Sequence, residues 1–189
     1  MEDFGEKIGT FTLVLTMLSL SSSPHPLVLI LCYGIHELGH LIFAKIMKAR
    51  VKHFSAGGFR LCISYDCSNI PYWKELFVCL GGIIFNLTAT LVGAFLPKTE
   101  DIAFFITCNL SLGLMNLYPV GILDGGGALK SILLMLTDED KSEKIAKGVS
   151  AIAIILLWLI SIYLQLVFSS NISLLFISIL LLVEMCFRM

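Results

Sequence analysis

Five consecutive residues, His36-Glu37-Leu38-Gly39-His40, set two metal-ligating side chains four positions apart with a carboxylate between them. On an α-helix, positions i and i+4 share a face, so both imidazoles can reach one ion. Zinc suits such a pair, and the glutamate of this pattern can serve as general base toward water that the metal activates. The surroundings sharpen the reading. Between Pro24 and Lys45 the only other titratable groups are His25 at the edge, Cys32 and Tyr33. An ionisable side chain at the centre of a bilayer costs about 2.5–3.5 kcal/mol on insertion scales, so it marks a functional site by default. Three within five residues ask for one common cause. Metal binding, which releases on the order of 10 kcal/mol in structural zinc sites, can offset that cost.

A catalytic zinc takes three protein ligands and keeps a fourth position open. Asp124 is the best candidate for the third. It lies in Asn116-Leu117-Tyr118-Pro119-Val120-Gly121-Ile122-Leu123-Asp124-Gly125-Gly126-Gly127, where a proline and four glycines break the helical pattern. Irregular backbone at membrane depth is tolerated only where protein buries it or it lines a cavity. The segment therefore reads as a re-entrant turn that returns Asp124 to the depth of the histidines, with a short apolar helix from Ala128 to Leu136. Rival ligands are fewer and worse placed. Cys32 is one turn before His36 on the same face, but three ligands in succession on one helix rarely converge on one ion. His53 and Asp66 lie outside the span, and Glu184 sits near a helix end, where it can snorkel. Gly39 allows another helix or a substrate backbone to come close.

The elements that must position these groups are membrane helices. Of 189 residues, 57% are apolar and 14% charged, and the mean hydropathy is +0.91. A soluble domain carries about 25% charge. The pattern predicts an all-α polytopic membrane protein in one domain, 1–189, with about six spans: 8–23, 26–47, 72–96, 102–117, 148–168 and 172–187. Of these, 8–23, 148–168 and 172–187 are accessory to a core at about 26–136. The acidic start (Glu2, Asp3, Glu6) reads as the approach to a first span, not as a secretory signal. Six spans put both termini on one side. If that side is the cytoplasm, only Lys98 of the 13 Lys and Arg residues lies outside, a strong positive-inside bias. Nothing basic or aromatic is arranged for nucleic acid.

On the same side, Val51–Phe54 and Phe59–Tyr65 flank Gly57-Gly58, which predicts a small membrane-associated β-hairpin with a glycine turn. Its edge could pair with an extended peptide. The charged run from Asp138 to Lys144 reads as a solvated turn and helix start. Four of the six cysteines lie in apolar segments as small hydrophobes. Cys62 and Cys67 fall in the hairpin region, where reduced thiols are expected.

His36-Glu37-Leu38-Gly39-His40, with Asn116-Leu117-Tyr118-Pro119 and Leu123-Asp124-Gly125-Gly126, resembles the site-2 protease family of intramembrane zinc metalloproteases. The resemblance covers about 26–136. It implies one Zn2+ per chain held by His36, His40 and Asp124, with Glu37 as the catalytic base. It matches Gly57-Gly58 to a glycine pair in the family's membrane-associated hairpin. It also implies that Asn86 and Asn116 orient substrate or support the site; helix–helix hydrogen bonding is the alternative for either. Three positions depart from the family pattern. Ile83 replaces the proline of G-P-x-x-N, no second proline precedes Asp124, and Gly127 stands where many members carry arginine. The layout is most similar to the six-span sporulation branch, which processes a membrane-associated pro-sigma factor, and the expectation is a member without that branch's CBS domain.

The expected activity is therefore hydrolysis of a peptide bond in a membrane-embedded or membrane-apposed protein, near the cytoplasmic face. The expected partners are that substrate, the lipid bilayer and regulatory membrane proteins, in an oligomeric state the sequence leaves open. The alternatives are a metal transporter or sensor using the same ligands, and a non-catalytic relative that binds partner helices.

Overall fold

A computed structural model describes residues 26–57, 60–66, 70–168, 178–179 and 181–182. Its elements run α1 (Pro26–Met47), β1 (Arg50–Gly57), β2 (Arg60–Asp66), α2 (Tyr72–Ala94), α3 (Glu100–Asn116), α4 (Asp124–Leu136) and α5 (Glu139–Phe168). Helix α2 is the centre of the packing, with α1, α3 and α4 against it and α5 behind α4. Strands β1 and β2 pair antiparallel, Arg50 opposite Asp66 and Gly57 opposite Arg60, with a register shift between Val51 and His53. Gly58 lies outside the described residues, as do the expected span at 8–23 and most of that at 172–187.

Three of the described helices are long and apolar enough to cross a membrane: Leu27–Met47, Tyr72–Ala94 and Glu139–Val167. Helix α3, with 17 residues, reaches only about 25 Å at 1.5 Å per residue. It starts where Thr99 caps it, the hydroxyl oxygen accepting from the Ile102 amide at 3.3 Å. Helix α1 stops where Lys48 adopts φ 60°, a left-handed turn that lets the Ala49 amide donate to the Ala44 carbonyl at 2.9 Å.

The side-chain distribution is that of a protein in lipid. On α1 the buried positions include Cys32, His36, His40 and Ala44, four apart on one face, while Leu27, Ile30, Leu31, Leu38 and Ile46 are exposed. The buried polar set includes Asn86, Asn109, Asn116 and Ser131. Small and polar groups face inward and large apolar ones outward, as expected where the solvent is hydrocarbon. These helices make the chain an integral membrane protein.

Candidate metal centre

Helix α1 supplies His36 and His40 on its inward face, and α2 comes very close to it there. A Cβ on Gly39 would collide with the Gly81 carbonyl oxygen, and one on Gly81 would stand 2.7 Å from the Gly39 carbonyl oxygen. Only glycine at both positions permits this approach. It sets Gly82 directly beneath the imidazoles, where a Cβ would lie 2.5 Å from His40 Nε2 and 2.6 Å from His36 Cε1.

Asp124 arrives from a different construction. After α3 the chain turns on itself: the Val120 amide donates to the Tyr118 carbonyl at 2.8 Å, and the Leu123 amide to the Val120 carbonyl at 2.8 Å. Helix α4 then starts at Asp124, with the Gly126 amide on the Leu123 carbonyl at 3.0 Å. Gly125 packs against the Leu117 carbonyl and Gly126 against that of Val120, so closely that neither could carry a side chain. Helix α5 holds the turn from behind. Tyr118 donates its hydroxyl to the Ala153 carbonyl at 2.7 Å, and Ser150 donates to the Pro119 carbonyl at 3.2 Å. Val120 seats in a cluster with Ala153, Ile154 and Leu181.

The two constructions meet at three atoms. His36 Nε2 lies 3.0 Å from Asp124 Oδ2, His40 Nε2 lies 3.1 Å from it, and the two Nε2 atoms are 3.2 Å apart. The result is a nearly equilateral triangle. Zinc bound at about 2.0–2.1 Å to tetrahedral N and O ligands has ligand–ligand edges of roughly 3.3 Å, so the triangle approximates one face of its coordination shell. The ring protons support the same reading. His40 Nδ1 is 2.8 Å from the Val78 carbonyl oxygen, which can only accept, so the proton is assigned to Nδ1. His36 Nδ1 donates to Asn86 Oδ1 at 3.0 Å. In neutral rings both Nε2 atoms are then lone-pair donors, facing a carboxylate oxygen. Three such atoms at this spacing repel one another unless a cation sits among them. Outer hydrogen bonds of this kind orient histidines for a metal. The rings are nearly closed off, at 6% and 10% side-chain exposure against 24% for Asp124, so the opening lies on the aspartate's side.

The structure thus brings His36, His40 and Asp124 into one group that could hold a metal. Glu37, on the same turn of α1, is half-buried. Asn86 is fully buried behind His36, a supporting position. Asn116 is buried and donates to the Leu112 carbonyl in its own helix at 3.0 Å. Gly57 ends β1, and His53 and Asp66 fall in β1 and β2. The thiol of Cys32 accepts from Asn109 Nδ2 at 3.0 Å instead of joining the triangle. Glu184 lies outside the described residues. Two contributors escape the sequence reading, the Val78 carbonyl and Asn109. A backbone carbonyl has no signature in sequence. Asn109 had one: an asparagine in an apolar membrane helix needs a partner.

A profile of peptidase family M50 matches residues 98–160, a stretch that holds Asn116 and Asp124 but not the two histidines. A Synechocystis sp. protein with the provisional name of zinc metalloprotease is 32% identical over 123 residues, which is 60% of this chain and 32% of that protein. The chain spans about a third of the length of this curated relative. The site-2 protease from Methanocaldococcus jannaschii superposes with a TM-score of 0.61 at 21% identity, covering 93% of this chain and 86% of that one. The fold is that of a site-2 protease. At this identity the likeness speaks for architecture, and the triangle of His36, His40 and Asp124 carries the chemistry.

Proposed function

We propose that this protein is an intramembrane zinc metalloprotease of the site-2 type, acting on a membrane-embedded or membrane-apposed protein near the cytoplasmic face. The observation that carries the reading is the triangle itself: three potential ligand atoms from two distant parts of the chain, 3.0–3.2 Å apart, inside an apolar helical bundle. His36, His40 and Asp124 would hold one zinc. Zinc bound there supplies positive charge that acidifies water and polarises a carbonyl.

The chain's own residues supply the rest. Glu37 receives the proton of the attacking water on its carboxylate and delivers it to the departing amine, so that the peptide bond leaves as a neutral amine and an acid. Burial of the two rings keeps bulk water from the ligands, while the exposed side of Asp124 admits a substrate chain. A helical substrate has its carbonyls hydrogen-bonded, so it unwinds locally before cleavage, and the β1–β2 pair offers an edge for the extended segment. The distribution of Lys and Arg supports cytoplasmic termini. The six-span layout expected from the sequence makes pro-sigma-factor processing the substrate class to test first.

The experiment is co-expression of the chain with candidate single-span and pro-sequence substrates. Glu37→Gln is expected to keep one zinc per chain and to lower cleavage by at least about a hundredfold, the scale of general acid–base catalysis. Full cleavage by that variant would end the proposed mechanism.

A further inference from the structure

Asn109 touches neither the three ligand atoms nor the opening of the site, yet it ends a directed series of hydrogen bonds that begins on His36. Its Nδ2 donates to the Phe105 carbonyl oxygen at 2.9 Å and to Cys32 Sγ at 3.0 Å. With the amide nitrogen committed there, Oδ1 faces Asn86 and accepts from its Nδ2 at 3.3 Å. Asn86 must then turn its own Oδ1 toward His36, where it accepts from Nδ1 at 3.0 Å. The Phe105 carbonyl cannot donate, so the polarity of the whole series is fixed at its far end. Both asparagines have 0% exposure, which leaves no water to take the place of a lost partner.

The direction matters because an amide has two orientations of nearly equal shape. Reversed, Asn86 would present its NH2 group to His36 Nδ1. That nitrogen would become the acceptor, the ring proton would move to Nε2, and Nε2 would lose the lone pair a metal needs. We propose that Asn109 is a positioning residue of the metal centre: it locks the orientation of the Asn86 amide and so keeps His36 in the tautomer whose Nε2 is free to ligate. The proposal rests on the metal reading given above and extends it by two links of hydrogen bonding.

Its test reads metal binding without cleavage. In the Glu37→Gln chain in detergent, zinc affinity is measured by competition with a chelator. Asn109→Leu is expected to weaken zinc binding between about tenfold and a hundredfold, the range for lost outer partners of a ligand. Adding Asn86→Asp to Asn109→Leu is expected to restore most of that affinity, because a carboxylate offers an acceptor at either end and has no reversed form. A role for Asn109 in packing alone predicts the opposite, since a buried charge added to a damaged site weakens it further. Asn109→Ala serves for the same pair of measurements should the leucine variant not fold. Unchanged affinity on replacing Asn109 would overturn the proposal, and so would a loss that Asn86→Asp does not repair. Absence of zinc binding in the Glu37→Gln parent itself would overturn the metal reading and this proposal together, an outcome distinct from either of the others.

Discussion

His36 and His40 on the one hand, and Asp124 on the other, reach the same point by opposite means. The histidines sit on an uninterrupted helix whose regular geometry places them, and they are steadied from α2 by a carbonyl, an amide and a glycine. Asp124 sits at the first turn of α4, after a segment that is not helical, and is steadied by α5 through Tyr118, Ser150 and the cluster around Val120. The first arrangement is stiff and tight; little can be added to it. The second is assembled from several weak contacts, none decisive alone. Faults on the α2 side should therefore act abruptly, and faults on the α5 side by degrees.

That contrast can be broken or sharpened by experiment. The largest effect is expected at Gly82→Ala, where the new methyl must displace both imidazoles. Overpacking of this kind costs about 1–3 kcal/mol, so the fold should survive a thermal melt while the purified protein loses its zinc. Retention of zinc would show the helix side to be more pliant than its spacing indicates. A graded effect is expected at Tyr118→Phe, which removes one hydroxyl hydrogen bond worth about 1 kcal/mol. Since 1.4 kcal/mol is a factor of about ten, zinc affinity by chelator competition should fall by less than tenfold. A collapse in affinity would mean that the turn depends on one contact and that the two sides do not differ. The smallest effect is expected at Lys141→Ala. Its partner Asp138 is 2.9 Å away, but the two side chains are 70% and 78% exposed, and such pairs contribute little. Neither zinc affinity nor melting temperature should change measurably.

The same contrast explains what could be read in advance. The pair His36 and His40 was legible because a four-residue spacing on a helix is a local property. So were the helices expected at 26–47 and 72–96, the second of which ends at Ala94; their length and apolarity are imposed by the bilayer. Asp124 could be ranked first among third ligands because proline and glycine at that depth are hard to explain otherwise. The path that brings it to the rings was not legible, since it depends on Tyr118 meeting a carbonyl of α5 and on Gly125 and Gly126 lying against the turn. Asn86 was marked by its motif, but its hydrogen bond to His36 needed the third dimension. Asn109 carried a signal of its own, an amide in the middle of an apolar helix, and its partner could not be named without coordinates.

Val78, Gly82 and Asn86 fall on a single stripe of α2, each four residues from the next, alongside the four-residue step from His36 to His40. A helix that gives no side chain to the triangle thereby acts as the gauge against which α1 is aligned. One residue inserted between Val78 and Asn86 would rotate the stripe by about 100° and withdraw carbonyl, glycine and amide from the rings in unequal measure. Chain length along that stretch is consequently as fixed as the three side chains of the triangle are.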